Sequence, residues 1–229
     1  MQNVGFLYML LPILRETLAP AQLPEAVRRH VQFFNTHPYF SSTVLGAVAR
    51  LEEEGAANPA SPAYLNMSAL KLGLMGSLGA IGDSLFWAAL RPLGAWIAVI
   101  LMMTGHTLMG VAAFLTVYNV PHLLVRFGGA AVGYAAGVDV VRQLRRVDFP
   151  HLTQRLKGLA VACAFAALPL VAWRSGTQGW VGPKTLAVAA VTGFVLMILR
   201  GSGGTRLAAG YLSVCLAVVW IWNALGGPH

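Results

Sequence analysis

The sequence predicts an all-α integral membrane protein that crosses the bilayer several times. Of its 229 residues, 57% are hydrophobic and 10% are charged, whereas a soluble domain carries about 25% charged residues. The mean hydropathy is +0.65. The 16 Lys and Arg residues cluster between apolar runs, a distribution typical of membrane topology signals. We therefore expect a lipid bilayer as the environment and no nucleic-acid partner.

The pattern divides the chain into four segments. Residues 1–64 should form interfacial or packed helices around a Phe-Phe-Asn-Thr-His-Pro turn, and residues 65–141 a Gly-rich membrane core with broken or re-entrant helices. Residues 142–157 form a basic loop, which we expect on the cytoplasmic side. Residues 158–229 hold about three apolar helices, which would leave the C-terminus outside: Leu159–Trp173, Thr185–Leu199 and Leu207–Leu225.

The N-terminal segment begins with two expected helices. Met1–Leu14 is apolar, but it is too short to span a membrane and no basic region precedes it as in a signal peptide. We expect an interfacial or packed helix there. Leu23–Phe34 starts near a Pro and carries Arg28, Arg29 and His30, so we expect a surface helix with a basic face.

The stretch from Phe33 to Phe40 predicts a kink or turn, because Pro38 disfavours helical geometry at His37. Asn35, Thr36 and His37 are either turn and capping groups or contacts to a ligand or a subunit. Ser41 or Ser42 is then expected to cap a helix that runs to about Glu54. Its three last acidic residues, Glu52–Glu54, should be solvated, although they could also meet a basic partner.

The most informative stretch runs from Lys71 to Pro92. Four glycines recur there at a spacing of three, and Asp83 follows them directly. If the helix continues, Asp83, Trp87 and Arg91 share one face. One interpretation is a packing face with Asp83 bonded to the backbone. The other is a discontinuous membrane segment that lines a substrate path.

Pro92–Val125 contains no Lys, Arg, Asp or Glu. As one helix its roughly 34 residues would extend about 51 Å, well beyond the roughly 30 Å hydrocarbon core. Thr104-Gly105-His106 and Asn119-Val120-Pro121-His122 are the two candidate breaks. His106 and His122 are interpreted as packing histidines, and we expect no metal site, no cofactor and no disulfide between Cys163 and Cys215.

Three blocks together resemble subunit IID of the mannose/fructose/sorbose family of the bacterial phosphotransferase sugar uptake system. They run from Phe33 to Tyr39 with Leu51-Glu52-Glu53, from Leu74 through Gly82-Asp83-Ser84-Leu85-Phe86-Trp87 to Arg91-Pro92, and from Tyr118-Asn119 through Pro121-His122 and Arg126 to Gly137. Ser77 stands where the family often has Pro, and Gly79-Ala80 reverses the usual order. The chain is also short for the family, at Gly55–Met67 and in its C-terminal half.

The resemblance implies a subunit of a transporter in the bacterial plasma membrane that is not itself phosphorylated. Its implied partners are subunit IIC, in a trimer of IIC–IID heterodimers, the phospho-carriers IIB and IIA, and a hexose-type sugar. The expected contacts to IIC or the sugar path are Asn35, Thr36, His37, Asp83, Ser84, Trp87, Arg91, Asn119, His122 and Arg126. The glycines expected to allow close packing are Gly73, Gly76, Gly79, Gly82, Gly133 and Gly137.

Two other functions remain open from the sequence. The chain could be a docking subunit that never touches the sugar, in which case Asp83 and Asn35 would affect assembly alone. It could also be a stand-alone secondary transporter with Asp83 as a cation site, which internal inverted repeats would favour. A membrane enzyme is the weakest alternative, because Asp83 has no identifiable catalytic partner in the sequence.

Overall fold

A computed structural model describes residues 2–174, in which helices are joined by short turns. The predicted all-α class is confirmed, and these residues contain no strand. The N-terminal part consists of α1 (Asn3–Thr17), α2 (Leu23–His30), α3 (Ser41–Ala57) and the single turn α4 (Pro62–Leu65). The second and third predicted C-terminal helices, Thr185–Leu199 and Leu207–Leu225, lie outside the described residues.

The central part is built from long apolar helices. Helix α5 (Met67–Gly82) continues through a π-helical segment (Asp83–Leu90) into α6 (Arg91–Met103), and α7 covers Thr107–Ala136. A 3-10 turn (Gly137–Asp139), α8 (Val140–Arg146) and α9 (Phe149–Arg174) follow. Two runs in the described part, Met67–Met103 and Thr107–Arg146, are long and apolar enough to cross a membrane.

Two compact units share these helices. Among the described residues, the first unit comprises residues 2–86 and Asn119–Pro150, and the second comprises Trp87–Tyr118 and residues 151–174. In the first unit, α1 buries Phe6, Leu10 and Leu14, which lie on one face at a spacing of four. Helix α1 is therefore a packed helix, one of the two possibilities that the sequence left open.

Helices α3 and α7 of the first unit contact each other backbone to backbone. A Cβ added at Gly46 would meet the backbone of Ala130, and one at Gly133 would meet the carbonyl oxygen of Thr43. Gly129 stands one turn before Gly133 against the hydroxyls of α3. A Gly-xxx-Gly pair with a facing glycine is typical of helices that pack at close range in membranes.

The chain breaks at one of the two predicted positions. At Thr104-Gly105-His106 it turns, with Gly105 at φ +93°, a left-handed conformation that glycine adopts without strain. The second predicted break, Asn119-Val120-Pro121-His122, is wrong, because α7 continues through Pro121. A Pro inside a membrane helix is tolerated where neighbouring groups satisfy the freed carbonyl.

Two further local predictions need correction. The basic loop predicted for residues 142–157 is helical except at residues 147 and 148, since α8 ends at Arg146 and α9 begins at Phe149. Neither Ser41 nor Ser42 caps α3. Their hydroxyls donate backward instead, to the carbonyls of Pro38 at 2.7 Å and Tyr39 at 3.3 Å, which closes the preceding turn.

Candidate functional site

The turn between α2 and α3 is held by the N-terminus of the chain. The Gln2 side chain makes two hydrogen bonds to Thr36. Its Nε2 donates to the Thr36 carbonyl at 2.7 Å, and its Oε1 accepts from the Thr36 N–H at 3.2 Å. The Gln2 N–H also donates to the carbonyl of Phe34 at 3.0 Å. This pairing satisfies the polar groups of a turn that has no helical partners of its own.

His37 is buried in an aromatic pocket beside the end of the glycine-rich helix. Its ring stacks on Phe86 with centroids 5.2 Å apart and packs edge-on against Tyr39 at 4.8 Å. A Cβ at Gly82 would collide with this ring, so the last glycine of the stripe makes room for the histidine. Burial lowers the pKa of His37, and the neighbouring Asp83 carboxylate opposes this shift. The histidine is therefore neutral at pH 7.

The polar groups around His37 differ in exposure. The Thr36 side chain is buried, and among the described residues its hydroxyl has no hydrogen-bond partner. It faces Gly79, at 3.9 Å from the position of an added Cβ. Asn35 and Asp83 are exposed, whereas Ser84 is half-buried. The structure thus brings Thr36, His37 and Asp83 to one end of α5.

Helix α7 adds one of its predicted residues to this group. The His122 ring stacks on Tyr39 with centroids 4.3 Å apart and an angle of 16°, so Tyr39 lies between the two histidines. Asn119 is half-buried and Arg126 is exposed on the same helix. This stacking contact corresponds to the packing role expected for His122.

Trp87 and Arg91 belong to the second unit. Both are exposed. The expectation that they share an α-helical face with Asp83 does not apply, because Asp83–Leu90 is π-helical. Hydrogen bonds from i to i+5 replace the α-helical register on which that expectation depended.

The predicted packing glycines have different surroundings. Gly82 and Gly133 abut other groups directly, and Gly137 ends α7 at φ +52°. By contrast, an added Cβ at Gly73 or Gly76 would meet no atom of the described chain within 4 Å. The first part of the glycine stripe is therefore open in the first unit.

A buried ionic cluster that the sequence pattern did not predict joins α2, α3 and α5. At its centre is Glu52, which is fully buried and not solvated as expected. Arg29 donates two hydrogen bonds from Nη2 to its carboxylate, at 2.8 and 3.0 Å, and one from Nε at 3.1 Å. His30 is also buried and places Nε2 at 2.7 Å from Glu52 Oε1. Helix α2 is thus not simply a surface helix with a basic face.

Lys71 completes this cluster from α5. Its ammonium lies 3.5 Å from His30 Nδ1, and 4.5 and 5.3 Å from the ring centroids of Phe6 and Phe34. Because an ammonium can only donate, His30 Nδ1 accepts and the imidazole proton sits on Nε2, facing Glu52. Lys71 donates to His30 Nδ1 and His30 Nε2 donates to Glu52, so this chain of hydrogen bonds ends at one carboxylate. The polar contacts of the cluster therefore connect three helices, α2, α3 and α5.

The cluster predicts that the protein loses stability in mild acid. Burial lowers the pKa of His30 from 6.5, although the hydrogen bond to Glu52 opposes this. Burial acts to raise the pKa of Glu52 from 4.5, but the hydrogen bonds of His30 and Arg29 outweigh it, so this pKa is lowered. Both lowered values give stability that is complete above the unfolded pKa and is lost as the pH falls.

We expect the thermal unfolding temperature to decline below about pH 6.5, and further below about pH 4.5. It can be measured on the purified chain in detergent from pH 7.5 to 4. A His30→Gln variant should unfold earlier at pH 7.5 and show a shallower decline between pH 6.5 and 5. His37 contributes to the same range, so part of the slope should remain. An unchanged slope in His30→Gln would contradict this role of His30.

The described fold and site define the class of the protein. It is a polytopic helical membrane protein in which a polar turn is buried against a glycine-rich helix. The family model for the PTS system mannose/fructose/sorbose family IID component matches residues 1–167. This range includes both the turn and Asp83, and the chain belongs to that family. The resemblance drawn from the sequence is thereby confirmed.

Individual relatives agree with this family. The chain is 36% identical over 157 residues to the mannose-specific EIID component of Escherichia coli K12, a match that covers 67% of this chain and 54% of the relative. It is 32% identical, over an alignment of 236 residues, to the sorbose-specific EIID component of Klebsiella pneumoniae. This alignment covers 98% of this chain and 84% of the relative. The chain thus spans about half the length of the mannose-specific relatives that it matches.

Solved structures share the fold. One described as "Structure of membrane protein" aligns with a TM-score of 0.62 at 24% identity, over 100% of this chain and 90% of the other. The cryo-EM structure of the mannose transporter ManYZ in complex with microcin E492 aligns with a TM-score of 0.53 at 23% identity, over 100% and 89%.

Proposed function

We propose that this chain is the IID membrane subunit of a sugar phosphotransferase transporter in the bacterial plasma membrane. It acts with subunit IIC to carry a hexose-type sugar, which IIB phosphorylates during uptake after receiving phosphate from IIA. The chain itself is not phosphorylated. The observation that carries the proposal is the family match over residues 1–167, which contains all the candidate site residues.

The exposed surfaces of the chain support a membrane partner. In the most apolar stretch of Thr107–Arg146, only 6% of the residues are buried inside the described chain. Leu124 and Phe127 are 69% and 75% exposed. Such a face must contact lipid or another helix. Gly76 on α5 has open space beside it, and small residues allow helices to approach closely. We propose that IIC packs there, in a trimer of heterodimers.

The polar end of α5 supports a role near the sugar path. The exposed Asn35 and Asp83 offer an amide and a carboxylate, and Thr36 offers a hydroxyl that has no hydrogen-bond partner within residues 2–174. Sugar hydroxyls need such donors and acceptors in paired arrangements. Since a carboxylate inside a membrane protein is costly without a partner, we propose that Asp83 faces either IIC or the sugar.

The orientation that we propose follows from charge. Arg145 and Arg146 are exposed on α8, and basic segments close to membrane helices favour the cytoplasmic side. Residues 142–157 would then face IIB. The C-terminus would lie outside if the three predicted C-terminal helices all cross.

Co-expression with the candidate IIC subunit tests the proposal. We expect a stable complex and sugar uptake that requires phosphorylated IIB. Asp83→Asn should reduce uptake about tenfold, equivalent to about 1.4 kcal/mol, while the complex still co-purifies. The matched control is Glu25→Gln, which neutralises an exposed carboxylate on α2 and should leave uptake unchanged.

The outcomes separate the possible functions. If Asp83→Asn weakens co-purification and leaves the apparent sugar affinity unchanged, the chain is a docking subunit without sugar contact. If uptake by Asp83→Asn equals that of Glu25→Gln with an intact complex, the carboxylate has no role. If no complex forms with IIC, the proposed function fails.

A further inference from the structure

The first unit contains an apolar cleft that the proposed function does not use. It has a volume of about 580 Å³, within the roughly 300–1,000 Å³ typical of ligand sites. One wall is α5 and the other is α8 with the start of α9. We call it the α5–α8 cleft. Its lining is chiefly aliphatic and includes Leu70 and Leu74 of α5, Val141 and Leu144 of α8, and also Phe149.

The cleft has the length of a lipid chain in one leaflet. Its lining residues on α5 run from Ala69 to Ile81, which corresponds to about 18 Å of helix. Half of the hydrocarbon core is about 15 Å. Gly73 lies within the lining, and an added Cβ there would meet nothing within 4 Å in the described chain. An extended acyl chain could therefore lie along the α5 backbone.

A cationic side chain lies next to the apolar lining of the cleft. Arg145 lines the cleft. The basic residue one turn earlier, Arg142, is paired with Asp139 at 3.0 Å. Within residues 2–174, Arg145 and Arg146 make no ion pair and both are exposed. Asp148 is the one acidic side chain of the lining. A guanidinium binds phosphate oxygens through two parallel hydrogen bonds.

We propose that the α5–α8 cleft binds an anionic phospholipid. One acyl chain lies between α5 and α8, and the phosphate accepts hydrogen bonds from the Arg145 guanidinium. The combination of an apolar cleft with a cation at its edge matches an amphiphile better than it matches a sugar or a free anion. Basic pockets beside membrane helices recognise anionic headgroups in this way. The proposal requires a membrane-embedded chain, but not that the chain transports sugar.

Native mass spectrometry of the full chain in detergent tests this proposal. The delipidated protein is titrated with phosphatidylglycerol or phosphatidylcholine of identical acyl chains. We expect one phosphatidylglycerol to bind at least about fivefold more tightly than phosphatidylcholine. Arg145→Gln should abolish that preference. The matched control is Arg142→Gln, which removes an exposed cation three residues earlier on the same helix and should retain it.

A second variant tests the apolar part of the site. Gly73→Leu places a side chain in the cleft at a position where an added Cβ meets nothing within 4 Å in the described chain, and thermal unfolding would show that it still folds. It should lose the bound lipid. If inorganic phosphate competes fully and Gly73→Leu binds lipid normally, the site is an anion site and the proposal is wrong. Equal binding of both lipids would also overturn the proposal, and so would equal effects of Arg145→Gln and Arg142→Gln. Release of the lipid on assembly with IIC would contradict it as well.

Discussion

Replacing Glu52 with alanine is expected to destabilise the chain by about 3–5 kcal/mol, because it leaves buried cations without their counter-ion. Arg29 would lose three hydrogen bonds and His30 would lose its Nε2 partner. For a chain of this size the unfolding temperature should fall by about 10 °C. Because the cluster joins α2, α3 and α5, the loss should affect the whole first unit.

Thermal unfolding in detergent at pH 7.5 measures this effect. The matched control is Glu54→Ala, two residues further along α3. Glu54 pairs with Arg50 at 3.1 Å, but both side chains are exposed. Such an exposed pair contributes little to stability, so the control should unfold within about 2 °C of the parent. If the unfolding temperature fell by a similar amount in the two variants, Glu52 would be solvated in the membrane protein and the cluster would not form.

The sequence does contain a signal for this cluster. The signal lies in the helical periodicity of the cluster residues and not in their residue types. Glu52 lies four and eight residues after Val48 and Val44, and it therefore shares a helical face with these two buried valines. Lys71 likewise shares a face with Met67, Leu74 and Leu78 of α5, all of which are buried. Three consecutive acidic residues instead predict a solvated helix end or a basic partner, and Glu52 has such a partner in Arg29. The long-range partner that makes burial of a charge possible cannot be identified from local pattern.

The turn was more predictable. The residues from Phe33 to Phe40 form the predicted non-helical segment, because Pro38 restricts its neighbour regardless of tertiary context. The collision of an added Gly82 Cβ with His37 was not predictable, since it depends on how the turn meets α5. The π-helical register of Asp83–Leu90 was not predictable either. Local composition does not distinguish an i to i+5 ladder from an α-helix.

Pro121 shows where a local rule fails in this environment. Pro within a helix costs about 3 kcal/mol in water, so a break was the natural prediction. Helix α7 nevertheless continues from Thr107 to Ala136. In a membrane the alternative, an exposed irregular backbone, is costlier than a helix with one missing hydrogen bond. The neighbouring break at Gly105 was predicted correctly, because a positive φ there favours glycine in any solvent.

Replacing Gly133 with alanine is expected to cost about 2–3 kcal/mol, because the added methyl group would overlap the backbone of α3. Its Cβ would meet the Thr43 carbonyl oxygen and lie 2.9 Å from the Ala47 nitrogen. Backbone atoms inside a helix cannot rotate away, so α3 and α7 must separate. The unfolding temperature should fall by about 5–10 °C. Since His122 of α7 stacks on Tyr39, the separation should also disturb the aromatic pocket around His37.

Two neighbouring glycines make this prediction quantitative. At Gly129 an added Cβ would lie 2.6 Å from the hydroxyl oxygens of Ser42 and Thr43, and hydroxyls can rotate, so Gly129→Ala should cost less than Gly133→Ala. At Gly128 it would meet nothing within 4 Å in the described chain. Gly128→Ala should therefore be neutral or stabilising by up to about 1 kcal/mol, the usual helical gain of alanine over glycine. The order Gly128, Gly129, Gly133 follows from direct backbone contact, whereas three equal effects would show that α3 and α7 are held apart by lipid.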